Sequence, residues 1–314
     1  MIYVEMYGRL GNQFFRYATA KALQKKYYPN EKIVINFTQI NEIHKTDPSY
    51  YNVLNEYRVD DYEVWNNTGK VLFKETNIIQ KILCMVYYSL IKKFDTKEMN
   101  GMVDTERKWQ RILDKYGIYW YRYGAWNLGY SKQKNKFVSG NFECPQYFND
   151  IKDDLVKEFT PKEPRLEKNK ELYDKIESTE SVGISIRRGD FESDKQTKAL
   201  HGVCDKEYFM KAIEEIKKRV DNPVFILFSD DIEWAKANIQ TGTVTFYEDG
   251  KDPVWEKLRM MSLCKHFILS NSTFSWWCQY LSTSENKIVI SPSRWFNNDY
   301  RSNLIEDSFI KIKV

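Results

Sequence analysis

Cysteine, histidine and long apolar runs are scarce in this chain, and each scarcity removes a class of protein. The five cysteines, Cys84, Cys144, Cys204, Cys264 and Cys278, are widely spaced, odd in number and form no CxxC pair. That usage argues reduced thiols in a cytoplasmic protein, not a secreted disulfide scaffold. The three histidines, His44, His201 and His266, are too scattered for a metal triad. No GxSxG elbow occurs and no Ser-His-Asp or Cys-His pairing can be argued, which leaves hydrolase chemistry unsupported. No apolar run is long enough to span a bilayer, and the opening MIYVEMYGRLGNQ lacks the basic region and apolar stretch of a secretory signal. A net charge of +4 is too small to announce a nucleic-acid partner.

With 42% hydrophobic and 29% charged residues, 314 in all, the chain has room for two globular domains. The segment Thr160-Pro161-Lys162-Glu163-Pro164-Arg165 sets two prolines among charges, a linker signal. It divides the chain into domains 1–160 and 161–314. Ile2, Val4 and Met6 alternate with Tyr3, Glu5 and Tyr7, the period of a strand. The turn Gly8-Arg9-Leu10-Gly11-Asn12-Gln13 follows, then Phe14, Ala18 and Ala22 at helical spacing, then a second strand over 33–37. This β-α-β opening places free backbone N–H groups at a helix N-terminus, a ready anion site. A strand opening at Val138 is followed by a loop and by a helix through Ile151, Leu155 and Phe159. Residues 78–91 predict a helix, expected to be buried in the first domain; an interfacial helix touching anionic lipid is the alternative.

The second half alternates strand and helix, with strands over 182–186, 224–228, 243–247, 266–270 and 287–290, the pattern of a parallel doubly wound sheet. Three strand tips are polar and share one edge in such a sheet. The first carries Arg187-Arg188-Gly189-Asp190. Its guanidinium forks match a diphosphate, or else an Arg–Asp pair pins the loop. The second carries Ser229-Asp230-Asp231: Asp231 is placed to cap the next helix, and Asp230 to serve a nucleobase edge, a ribose or a metal. Two arginines already balance a diphosphate, which favours metal independence. The third is Asn271-Ser272-Thr273-Phe274-Ser275, offering several hydroxyls and free amides where a helix cap needs one. Trp276 and Trp277 are expected between helix and sheet, and His266 as a hydrogen-bonded core residue.

Taken in order, Gly8-Arg9-Leu10-Gly11-Asn12-Gln13, Ile186-Arg187-Arg188-Gly189-Asp190-Phe191, Phe228-Ser229-Asp230-Asp231 and Ser270-Asn271-Ser272-Thr273-Phe274-Ser275-Trp276-Trp277 resemble the motifs of bacterial α-1,2-fucosyltransferases of glycosyltransferase family 11. The resemblance runs from residue 8 to about 300. It implies a GT-B fold, two Rossmann-like domains facing across a cleft, the first on the acceptor side and the second binding GDP-fucose, with the last helix packing back on the first. It implies inverting transfer of L-fucose, without a metal or other cofactor, to a glycan hydroxyl, O2 of a β-galactoside, in surface polysaccharide or oligosaccharide synthesis. Arg187 would then contact the β-phosphate. Asn12, with Arg9 and Gly11, would face the diphosphate and fucose. Asp230 or Asp231 would serve guanine or ribose, and Asn271, Ser272, Thr273 and Ser275 the phosphates; Arg188 either joins them or braces the loop through Asp190. Asp190, Glu192 and Glu143 are the candidate bases. The family usually has histidine where this chain has Ser185, which bears on guanine binding. The expected partners are GDP-fucose and a galactose-containing glycan, not nucleic acid, and the expected location is cytoplasmic with peripheral contact on the inner membrane face. The alternatives are a GT-B transferase using another nucleotide sugar and a catalytically weak glycan- or nucleotide-binding relative.

Overall fold

The computed structural model describes residues 1–94, 98–189, 195–202 and 204–314; Asp190 and Glu192 lie outside the described residues. The chain divides into two units, Met1–Phe159 and Thr160–Val314. In the first, strands β1 (Ile2–Glu5), β2 (Ile33–Asn36), β3 (Glu63–Val64), β4 (Ile118–Tyr119) and β5 (Lys136–Val138) form one sheet in the order β3-β2-β1-β5-β4. All its pairings are parallel, with Ile2 opposite Ile33 and Lys136. Its helices are α1 (Leu10–Tyr27), α2 (Thr38–His44), α3 (Val71–Lys74), α4 (Ile78–Ile91), α5 (Met99–Lys115) and α6 (Lys152–Glu158). A parallel sheet is covered on both faces, so the alternation in β1 does not separate core from solvent. Tyr3 is buried like Ile2 and Val4, stacked on Phe137 at 5.7 Å.

Two features of the first unit depart from the sequence reading. The strand expected to open at Val138 ends there, and the chain turns away through Phe142, whose φ of +55° is rare for a residue with a side chain. Helix α4 is not a buried helix. A capping box between Asn77 and Gln80 starts it, and Gln80, Cys84, Tyr87 and Ile91 form its buried stripe. The opposite face carries Ile78, Ile79, Ile82, Met85 and Val86, all exposed.

In the second unit, β6 (Ser181–Ile186), β7 (Val224–Ser229), β8 (Thr245–Tyr247), β9 (His266–Ile268), β10 (Val289–Pro292) and β11 (Ile310–Ile312) form a parallel sheet in the order β11-β10-β9-β6-β7-β8. Helices α7 (Lys170–Ser178), α8 (Lys195–His201), α9 (Lys206–Lys217), α10 (Ile232–Asn238), α11 (Val254–Ser262) and α12 (Thr273–Leu281) alternate with the strands. Val182, Ile184 and Ile186 of β6 pack with Phe209, Ala212 and Ile213 of α9 in the core. Trp276 and Trp277 are fully buried, and His266 accepts the N–H of Ile288 at 3.0 Å. The chain closes in β11 and not in a helix returning to the first unit, because Ile310 and Ile312 alternate with lysines at strand period. Each unit is a Rossmann-like α/β domain, the pair that makes a GT-B chain.

Candidate active site

The central strands of the second unit bring the three polar tips together. β6 lies between β7 and β9, all parallel, so residues following Ile186, Ser229 and Ile268 emerge at one edge. Ile186 is opposite Ser229 in register, which sets Arg187 beside Asp230. The Arg187 Nη1 lies 2.7 Å from Asp230 Oδ2. The same carboxylate accepts the backbone N–H of Arg188 at 2.8 Å and of Gly189 at 3.1 Å. A Cβ on Gly189 would stand 2.8 Å from Asp230 Oδ2, so the close approach requires glycine. Thus, among the described residues, Asp230 from the neighbouring strand braces the arginine tip.

Arg188 takes another direction. Its guanidinium lies over the Trp234 ring at 3.9 Å, and its Nε is 3.4 Å from Asp231 Oδ2. Asp231 caps α10, accepting the N–H of Trp234 at 3.1 Å. Trp234 was invisible to motif reading, although its position three residues after a capping aspartate was a usable signal.

At the third tip the polar residues divide. Ser275 is fully buried and its hydroxyl is 2.8 Å from both Ser270 O and Ser272 O, within its own turn. Asn271 is buried too, donating its amide to His201 O at 2.8 Å and Trp295 O at 2.9 Å. Both hold the loop. Ser272 is the half-buried N-cap of α12, in extended conformation, and its hydroxyl does not cap the helix. Thr273 begins the helix beside it, also half-buried, whereas Ser185 is buried within β6.

The first unit presents its own motif. Gly8 has φ +80°, and a Cβ there would lie 2.6 Å from Asn12 Nδ2, so glycine is needed twice over. Gln13 fixes the turn, donating to Gly8 O at 2.9 Å and Tyr51 O at 2.8 Å. Arg9 donates to Ser49 Oγ at 3.0 Å and lies 3.3 Å from Asp47 Oδ2, over the Tyr50 ring. Gly11 is buried and Asn12 half-buried in the first turn of α1.

These motifs have counterparts in known proteins. Residues 1–312 match the sequence family described as Glycosyl transferase family 11. The chain belongs to glycosyltransferase family 11. It is 36% identical over 181 residues to the Escherichia coli alpha-1,2-colitosyltransferase, covering 54% of this chain and 61% of that protein. It is 27% identical over 317 residues to the O-antigen biosynthesis glycosyltransferase WbnK of Escherichia coli, covering 97% of this chain and 98% of that protein. It is 27% identical over 165 residues to the human galactoside alpha-(1,2)-fucosyltransferase 1, covering 49% of this chain and 45% of that enzyme. The matched stretch is thus under two thirds of the colitosyltransferase and under half of the human enzyme, whereas the match to WbnK covers 98% of that protein. The family membership makes the chain a glycosyltransferase.

Proposed function

We propose that this family 11 glycosyltransferase transfers L-fucose from GDP-fucose to O2 of a β-galactoside in a surface glycan or oligosaccharide, with inversion and without a metal. The observation that carries the reading is the meeting of Arg187, Arg188 and the open N-terminus of α12 at one sheet edge. In an open α/β sheet that edge is where ligands bind. Arg187 serves the β-phosphate, where negative charge grows as GDP departs. Ser272, Thr273 and the amides of α12 serve the phosphates through the helix terminus. Asp230 and Asp231 retain acceptor lone pairs for ribose or guanine beyond those used by the arginines and by the N–H groups of Gly189 and Trp234. The likeness of the Gly8 to Gln13 turn to the family motif supports a donor-binding role for Asn12, Arg9 and Gly11.

The donor sugar has a second reading, carried by a name: the relative at 36% identity transfers colitose. Turnover of GDP-fucose with a panel of galactosides tests the first reading. Transfer from a colitose donor and none from GDP-fucose would replace it with the second.

Contact with the inner face of the cytoplasmic membrane belongs to the same proposal. No helix among the described residues is long and apolar enough to cross a membrane. The outward face of α4 suits peripheral docking instead, and residues 70–94 around it hold five lysines against one glutamate.

A further inference from the structure

The loop that follows β4 is held more tightly than a connector needs. The ladder between β4 and β5 continues past both strands, Asn141 donating its N–H to Tyr121 O at 3.0 Å, so residues 122–126 emerge at the carboxyl edge of the first unit's sheet. Two carboxylates of α5 fix them. Glu106, fully buried, accepts the backbone N–H of Arg122 at 2.6 Å and of Gly124 at 3.2 Å, and the indole N–H of Trp126 at 3.1 Å. Asp114, about two turns on and also buried, accepts the Tyr121 hydroxyl at 2.6 Å and the N–H of Gly129 at 2.8 Å. The Tyr147 hydroxyl adds a brace, donating to Gly124 O at 2.9 Å. Burying a carboxylate is costly unless hydrogen bonds offset it, and these two direct theirs chiefly to one loop.

This bracing presents an arginine whose charge is not matched. The Arg122 side chain is half-buried, and among the described residues its guanidinium makes no hydrogen bond, ion pair or ring contact. The other arginines that are not exposed differ: Arg9, Arg16, Arg187, Arg188 and Arg259 each meet a carbonyl or carboxylate oxygen. Glu106 takes the backbone N–H of Arg122 and not its side chain. A guanidinium stays charged at any physiological pH and carries five donors in a fixed fork, so a half-buried one has acceptors to find outside the chain. Trp126 is tied to the same carboxylate, its ring half-buried and its N–H already bonded. An indole fixed in this way offers a sugar ring an apolar surface at little cost in conformational entropy.

We propose that Arg122 and Trp126 form a subsite for an acidic glycan. The guanidinium takes an oxyanion carried by the sugar chain, the carboxylate of an acidic sugar or a phosphate on it, and the indole takes the sugar ring next to that group. The inference rests on membership of a glycosyltransferase family, and on neither the donor nor the linkage proposed above. Carboxylate and phosphate oxygens match the arginine fork two at a time. Hydroxyl groups alone would leave the charge uncompensated, and the ligand is therefore read as acidic and not as a neutral sugar.

Isothermal titration of the full chain, without nucleotide, tests this with three probes: glucuronosyl-galactose, the matching neutral glucosyl-galactose, and galactose phosphate. The parent should bind at least one acidic probe about tenfold or more tightly than the neutral one, the effect of a charge-assisted contact. Preference for the glucuronate identifies an acidic sugar as the ligand, and preference for the phosphate a phosphorylated glycan. Arg122→Gln, which keeps the backbone N–H that Glu106 holds, should erase the preference and leave the neutral probe unchanged. Arg122→Lys, which keeps the charge and loses the fork, should lower the preference without abolishing it. Trp126→Phe should weaken all three probes severalfold and leave the preference. Equal affinity of the parent for acidic and neutral probes, no binding of any probe at millimolar concentration, or an unaltered preference in Arg122→Gln overturns the inference. Protection by GDP against thermal unfolding should be the same in parent and Arg122→Gln; its loss in the variant would assign the guanidinium to the nucleotide and overturn the inference as well. A parent that shows the preference but is inactive with GDP-fucose would overturn only the donor reading.

Discussion

Arg187 and Asp230 show how one contact reconciles two readings of the same strand tip. The sequence posed an anion site against a loop-pinning pair, and the structure contains the pair, at 2.7 Å, on an edge built for ligands. A partly exposed ion pair contributes little stability, about 0–1 kcal/mol, so a diphosphate can displace it at small cost. Arg187→Ala should leave the fold intact by circular dichroism and lower turnover about a hundredfold or more, the effect of removing one donor from a developing charge; near-normal turnover would take Arg187 out of the chemistry. Asp230→Ala should cost about 1 kcal/mol in chemical denaturation, since two backbone N–H groups at a wet surface lose their acceptor. The arginines, Asp231 and Ser272 were legible because each sits where a strand period stops and a helix period begins. The inward turn of Asn271 and Ser275 was hidden because their partners are carbonyl groups, which every residue has and no spacing marks.

At the scale of elements, strands of continuous apolar residues were read correctly in number through the second unit until β11. The two-residue strands β3 and β4 escaped because their pairing is decided by neighbours and not by their own pattern. Helix α4 was misjudged because its apolar residues cover both faces, and periodicity cannot say which of two apolar faces meets the core. Its outward stripe yields a prediction. The protein should co-sediment with vesicles containing anionic phosphatidylglycerol and not with neutral phosphatidylcholine. Ile79→Glu together with Met85→Glu should abolish that binding without altering turnover of a soluble acceptor, since neither residue belongs to the buried stripe. Equal sedimentation of parent and variant would remove α4 from membrane contact.

For the molecule as a whole, the chain divides into Met1–Phe159 and Thr160–Val314, and Pro161 and Pro164 lie just past that division. The proposed metal independence is tested on the full chain: EDTA should leave turnover unchanged, and loss of activity restored by Mg²⁺ would reassign Asp230 and Asp231 to a cation. GDP should raise the unfolding temperature, while UDP and ADP at equal concentration should not, because only guanine offers the edge that the second unit is proposed to read. The place of β6 in its sheet also governs how the protein is made. β6 is flanked by β7 and β9, both of which follow it in the chain, so on the ribosome the strand leading to Arg187 emerges before either neighbour exists. An all-parallel sheet assembled from such distant partners forms slowly. The first unit, complete by Phe159, has all its strands available before β6 is synthesised. Nascent chains stalled beyond β7 but short of β9 should therefore protect the first unit from protease while the arginine tip is still cleaved.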